Sequence, residues 1–276
     1  MSALPTTTGA QRIHAAVRAA NDDDRAALVI YLPAGYPDMA TSRACLEAAV
    51  GAGADVLEVG FPFSDPIMDG PTIQAASQHA LDAGYRIDDD LAMSRELTAS
   101  VDAPVLTMTY YTIPDRRGLD RFAASAVDAG LAGAILPDLP ADEGGPWRAA
   151  ADGAGLATVF LASSVSTDER LAAIGEASTG FVYATGLLGV TGVKDVDEAT
   201  EQLVARIRPH ASVPVCVGVG VKTRAHAAAV ARYADGVIVG SAVVQAITDG
   251  DPATATDRVA ALVAQLRLGC EEGRRG

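Results

Sequence analysis

Gly51-Ala-Gly-Ala-Asp55 leads directly into Val56-Leu-Glu-Val-Gly60, and this join decides how the chain is read. Small residues and a left-handed glycine close a helix, and a short apolar run then begins a strand. The same order recurs at Ala129-Gly-Leu-Ala-Gly133 and at Tyr233-Ala-Asp-Gly236. Working outward, the runs Leu28–Leu32, Val56–Gly60, Pro104–Met108, Gly133–Leu136, Thr158–Leu161, Gly180–Ala184, Pro214–Val219 and Gly236–Gly240 share this character. Near-continuous apolar runs are expected of parallel strands buried on both faces. Between them lie stretches at helical spacing, such as Ser42–Val50 and Leu119–Ala129. Near the end, Thr254–Leu268 places Val259, Leu262, Val263 and Leu266 on one stripe. Eight strand–helix units predict a single (β/α)8 TIM barrel over residues 1–276, with an extra helix over 9–20 ahead of the first strand. An open doubly wound sheet is the alternative, but no G-x-G-x-x-G opens the first turn.

Composition narrows the function. The 276 residues are 49% hydrophobic and 20% charged, with a net charge of −14. Such an acidic chain gains nothing from counterion release on nucleic acid and is repelled by anionic membranes. No apolar run reaches the roughly 18 residues of a membrane span. The start, MSALPTTTGAQR, has neither the basic flank nor the apolar core of a secretory signal. Cys45, Cys216 and Cys270 are odd in number and far apart, which argues for packed thiols in a reducing cytoplasm rather than a disulfide or zinc framework.

Glu58 stands in the middle of an apolar strand. Alternation sets it opposite Leu57 and Val59, so if those face the helices Glu58 points into the barrel. A buried carboxyl is costly unless paired, and burial raises its pKa into the range useful for acid–base work. A structural ion pair would need an arginine, and none lies within a strand. The next loop, Phe61-Pro-Phe-Ser-Asp-Pro-Ile-Met-Asp-Gly-Pro71, is stiffened by three prolines. Taken alone, Asp69 also reads as a helix-capping residue ahead of Pro71, and Asp65 as a turn residue. One carboxyl in the strand and another on the rigid loop beyond it point to acid–base chemistry.

Three glycine turns follow successive late strands. They are Gly189-Val-Thr-Gly192, Val217-Gly-Val-Gly220 and Gly240-Ser241, the last opening a short helical stretch. Glycine lets backbone N–H groups approach a phosphate, and a helix N-terminus favours the anion. The nearby Lys194, Lys222 and Arg224 read as solvated surface charge. No lysine lies inside a strand for a Schiff base. His14, His79, His210 and His226 fall on helices or low on the barrel, so no metal site is expected. Cofactor-free acid–base chemistry on a small phosphate ester remains.

The stretch Leu57-Glu-Val-Gly-Phe-Pro-Phe-Ser-Asp-Pro-Ile-Met-Asp-Gly-Pro-Thr-Ile-Gln74 closely resembles the signature of the tryptophan synthase alpha subunit family. Tyr31-Leu-Pro-Ala-Gly-Tyr-Pro37, Ile135-Leu-Pro-Asp-Leu-Pro140, Gly189-Val-Thr-Gly192 and Gly236-Val-Ile-Val-Gly-Ser241 resemble its other blocks, in the same order. The resemblance implies retro-aldol cleavage of indole-3-glycerol phosphate to indole and glyceraldehyde 3-phosphate. By position, Glu58 matches the catalytic glutamate and Asp69 the aspartate that holds the indole N–H. Gly192, Gly220, Gly240 and Ser241 match the phosphate site. Tyr110 and Tyr183 match pocket tyrosines, Thr191 the threonine of a closing loop, and Met108, Pro137 and Val219 the indole lining. The resemblance also implies a beta-subunit partner carrying pyridoxal phosphate, with no cofactor in this chain.

Two segments depart from the family pattern. Gly186-Leu-Leu stands where a serine, often followed by arginine, is usual, and Tyr111-Thr-Ile-Pro114 replaces an asparagine-containing run. They bear on loop closure and on contact with a beta subunit. The alternatives are a stand-alone lyase releasing free indole, an inactive activator of a beta subunit, and another phosphosugar isomerase on the same barrel. Intact Glu58 and Asp69 speak against the inactive activator.

Overall fold

The computed structural model describes residues 8–186 and 193–275. Helix α1 (Gly9–Asp22) precedes strand β1 (Ala27–Pro33) and α2 (Met39–Gly51). Strand β2 (Val56–Gly60) is followed by two helices, α3 (Pro71–Asp82) and α4 (Ile87–Ser100), and β3 (Val105–Met108) by α5 (Thr112–Arg117) and α6 (Leu119–Asp128). Then come β4 (Gly133–Ile135), α7 (Gly145–Ala154), β5 (Ala157–Ser163), α8 (Asp168–Ala177), β6 (Val182–Thr185) and α9 (Val193–Ile207). The chain ends with β7 (Val215–Gly218), α10 (Arg224–Ala231), β8 (Gly236–Val239), α11 (Ser241–Thr248) and α12 (Ala255–Arg275). The strands pair in parallel and in sequence order, β8 returning to β1, to close an eight-stranded barrel. The eight expected strands are all present, with ends differing by at most two residues.

The recurring joins have a physical reason beyond the helix stop. Asp55 bonds reciprocally with Leu28 of β1: its N–H donates to the Leu28 carbonyl (2.8 Å), and its carboxylate accepts the Leu28 N–H (2.8 Å). Asp235 makes the same pair with Val215 of β7, at 2.9 Å in both directions. Each aspartate satisfies a strand-entry donor that would otherwise be orphaned. Arg25 forms two bonds to the Asp55 carboxylate at 2.6 and 2.7 Å, both side chains being largely buried. Gly53 and Gly130 take the left-handed conformation expected after a helix (φ +108° and +80°), whereas Gly236 simply begins β8.

Strand alternation sorts the side chains into two cores. Leu28, Ile30, Leu57, Val59, Val105 and Val237 join the layer between barrel and helices. Val29, Val56, Leu106, Ile135, Val159, Phe181, Cys216 and Ile238 fill the barrel interior. The expected N-terminal helix closes the lower mouth, inserting Ile13, Val17 and Ala20 into that interior cluster. It begins with a capping box between Thr8 and Gln11. Gly9 lies so close to the Ala132 carbonyl that a Cβ there would sit 1.7 Å from the oxygen. The three cysteines are buried free thiols. Among the described residues, no helix is long and apolar enough to cross a membrane, and no group of His, Cys, Asp and Glu could hold a metal ion.

Candidate active site

Glu58 is fully buried, and its register partners are Tyr31 on β1 and Leu106 on β3. Leu57 and Val59 pack outward, so Glu58 shares the inner face with Val56. Neither carboxyl oxygen has a hydrogen-bond partner, and no arginine approaches it among the described residues. Burial pushes its pKa up to about 8. The carboxyl therefore holds its proton at neutral pH yet can release it within reach of that pH.

Asp69 lies on the loop between β2 and α3. The helix is capped by Gly70 without a side-chain bond, and Pro71 begins it. The capping reading of Asp69 is thereby replaced: its carboxylate instead accepts a hydrogen bond from the Tyr110 hydroxyl at 3.3 Å. Burial pushes the Asp69 carboxyl up to about 6, and the Tyr110 bond partly offsets this. The Tyr110 hydroxyl also accepts the Met68 N–H at 2.9 Å, so one tyrosine pins two successive loop residues. Its ring stacks on Phe63 with centroids 5.0 Å apart. Asp65 is exposed and accepts from the Ser64 hydroxyl at 2.6 Å, as a turn residue would.

Tyr183 lies on β6 beside Cys216 in the register, and burial followed by the negative fields of Glu58 and Asp69 raises its hydroxyl pKa. Tyr31 is the residue that sequence reasoning left unassigned. Its hydroxyl is raised by burial and then by the same two carboxyls, so it belongs to the same cluster. The signal was available, since two-residue alternation from Val29 puts Tyr31 on the inner face beside Glu58. Two strand-end glycines make room for its ring. A Cβ on Gly60 would sit 2.3 Å from the Tyr31 hydroxyl oxygen, and one on Gly240 2.9 Å from a ring carbon. Gly218 does the same for Tyr183, at 2.4 Å from the hydroxyl oxygen.

The glycine turns after β7 and β8 lie at the same end of the barrel. Gly220 has φ +74° and open space around it, a backbone conformation that favours glycine. Gly240 precedes α11, whose first turn bonds back to the Gly240 carbonyl from Val243 and Val244 (2.8 and 3.2 Å). The N–H groups of Ser241 and Ala242 are thus the leading donors of that helix. Arg224 is drawn away by a two-point ion pair with Glu272 on α12, and Lys222 is exposed. Thr191 and Gly192, with the Gly189 turn and Leu187 and Leu188, lie outside the described residues. Met108 lies partly buried against the interior cluster, Pro137 is buried and Val219 half-buried. The departing segment Thr112–Pro114 opens helix α5.

A buried acid of raised pKa, a second carboxyl held by a tyrosine, and a glycine-led helix N-terminus meet at one end of a parallel barrel. Residues 17–271 match the family model described as tryptophan synthase alpha chain. The tryptophan synthase alpha chain of Streptomyces coelicolor is 48% identical over 261 residues, covering 94% of this chain and 96% of its own length. That of Mycobacterium tuberculosis is 47% identical, with 91% of each chain covered. A solved tryptophan synthase chain from M. tuberculosis superposes with a TM-score of 0.87 at 44% identity, covering 94% of this chain and 98% of its own. The alpha subunit from Legionella pneumophila gives 0.87 at 33% identity, with 94% and 98% covered. The chain belongs to the tryptophan synthase alpha chain family.

Proposed function

We propose that Glu58 and Asp69 are the catalytic pair of this chain. As a family member the chain is a lyase of tryptophan biosynthesis, cleaving indole-3-glycerol phosphate to indole and glyceraldehyde 3-phosphate. The observation that carries the residue assignment is the fully buried, unpartnered Glu58 carboxyl with its pKa near 8, at the end of the barrel where Asp69 also lies.

Protonated Glu58 gives its proton to the indole carbon that bears the glycerol phosphate side chain. The ring becomes an iminium cation, and ionised Asp69 accepts the ring N–H and stabilises that charge. The carbon–carbon bond then breaks, its electron pair returning to the ring. The Glu58 carboxylate takes the proton of the adjacent hydroxyl as the aldehyde forms, which restores the starting state. Atoms and protons balance without a cofactor in this chain. Tyr110 holds Asp69, and Tyr31 and Tyr183 wall the pocket. Gly220, Gly240 and Ser241 receive the phosphate at the start of α11; the family resemblance alone assigns Gly192 to the same task and Thr191 to the loop that closes over the substrate.

A beta subunit carrying pyridoxal phosphate is the expected partner. Ile67 on the loop after β2 and Val165 on the loop after β5 are 76% and 74% exposed, which suits docking of an apolar surface over the site. The experiment is indole release by the purified chain, alone and then with a beta subunit added. Slow release that rises strongly on addition is expected. Fast release with no response would identify a stand-alone lyase, and no release in either case would overturn the substrate assignment.

A further inference from the structure

Asp138, just past the end of β4, is a half-buried carboxylate to which the reaction steps assign no task. Its Oδ1 accepts the N–H of Tyr111 at 2.8 Å. Tyr111 is the N-cap residue of α5, so this donor stands at a helix end that supplies no acceptor of its own. Two residues earlier, the Thr109 N–H donates to the Ile135 carbonyl of β4 at 3.0 Å. The backbone on both sides of Tyr110 is therefore tied to β4 and the loop that follows it. From that base the Tyr110 side chain crosses to the loop after β2. There its hydroxyl accepts the Met68 N–H at 2.9 Å and donates to the Asp69 carboxylate at 3.3 Å. Burial, then the field of Asp69 and finally that of Asp138 raise the hydroxyl pKa, so it stays a protonated donor.

The bond to Asp69 is the weaker of the two. At 3.3 Å it is longer than the roughly 2.5–3.0 Å usual for O–H···O bonds. A small displacement of the Tyr110 backbone, carried to the far end of a rigid ring, is enough to lose it. Stacking on Phe63 fixes the plane of the ring, but a stacked ring can still slide along its neighbour's face. We propose that Asp138 is a positioning residue for the cleavage reaction: through the Tyr111 N–H it fixes Tyr110, and through Tyr110 it keeps Asp69 aimed and ionised. The assignment rests on the reading of Asp69 as one of the catalytic pair. Near pH 6 the other titratable groups around Asp69, namely Glu58, Tyr31 and Tyr183, are all uncharged. The Tyr110 bond is thus the side-chain interaction that offsets the burial of the Asp69 carboxyl.

The test follows the acidic limb of kcat/KM, near pH 6, which reports ionisation of Asp69. Losing one hydrogen bond to a charged acceptor is worth about one pH unit. Asp138→Ala should therefore move the limb up by about one unit, an about tenfold loss of kcat/KM at pH values below it. Asp138→Asn keeps an oxygen for the Tyr111 N–H and should leave the limb near 6 with most of the activity. Tyr110→Phe should raise the limb as Asp138→Ala does, and Asp138→Ala added to it should move the limb no further. The same shift is read without turnover in the full chain with isotope-labelled aspartate carboxyls. There the Asp69 resonance, identified by its absence from Asp69→Asn, should titrate about one unit higher in the Asp138→Ala chain. A lowered unfolding midpoint with the limb and the Asp69 resonance unmoved would make Asp138 only a cap of α5 and overturn the proposal. Equal losses in Asp138→Asn and Asp138→Ala, or a further shift on the Tyr110→Phe background, would overturn the route through the Tyr111 N–H and Tyr110. Full turnover by Asp69→Asn would instead refute the catalytic pair, and the Asp69 titration would still decide whether Asp138 positions it.

Discussion

Glu58 is held in the barrel at a cost to stability. Its carboxyl titrates near pH 8 when folded and near 4.5 as a free side chain. Below about pH 4.5 both states hold the proton and there is no penalty. Between the two values only the folded state holds it, so stability falls by roughly 1.4 kcal/mol per pH unit as pH rises, levelling off above pH 8. Glu58→Gln should remove that decline and abolish most cleavage. Urea unfolding midpoints at pH 5 and pH 8 test the first outcome, and indole release tests the second. A variant that keeps near-full turnover would refute the assigned role. The proposed mechanism requires Asp69 ionised, above about pH 6, and Glu58 protonated, below about pH 8. A bell-shaped kcat/KM profile with limbs near those values is expected. A flat profile from pH 5 to 9 would show that this pair does not govern the rate.

At the level of elements, the strand ends serve both fit and function. Gly60 and Gly240 leave space for the Tyr31 ring, and the same Gly240 leads into α11. Gly240→Ala should displace Tyr31 and cost about 1–3 kcal/mol by overpacking, measurable as a lowered unfolding midpoint. Ser241→Asp places negative charge at the first helical residue, and should raise KM for the phosphorylated substrate while leaving the fold intact. An unchanged KM would remove this helix from the phosphate site. The joins between helices and strands behave differently. Asp55 ties the entry of β2 to Leu28 and to buried Arg25. Asp55→Ala leaves that arginine uncompensated and should destabilise the chain by about 3 kcal/mol. A loss below about 0.5 kcal/mol in chemical denaturation would contradict this account.

Across the whole molecule, the two ends of the barrel are specialised. The lower mouth is packed shut by Ile13, Val17 and Ala20 of α1, and the upper mouth holds Glu58, Asp69 and the glycine turns after β7 and β8. Ile13→Ala should therefore cost about 2–5 kcal/mol of stability and leave kcat near that of the parent at a temperature where both are folded. A large loss of kcat without loss of folding would show that the two ends are coupled.

The sequence by itself determined the eight strands, the extra helix before the first of them, the inward face of Glu58 and the glycines that close β7 and β8. Each follows from local rules: alternation along a strand, periodicity along a helix, and the conformational freedom of glycine. The tyrosine that pins Asp69 needed the tertiary structure, because Tyr110 and Asp69 are 41 residues apart and meet only when β2 and β3 lie side by side. The same is true of Tyr31, whose ring is accommodated by glycines on two other strand ends. Asp90 stands in sequence among acidic neighbours that suggest a solvated helix face, and only packing of α4 shows it to be buried and unpaired. Burial and partnership arise from distant segments meeting, so no local pattern could report them.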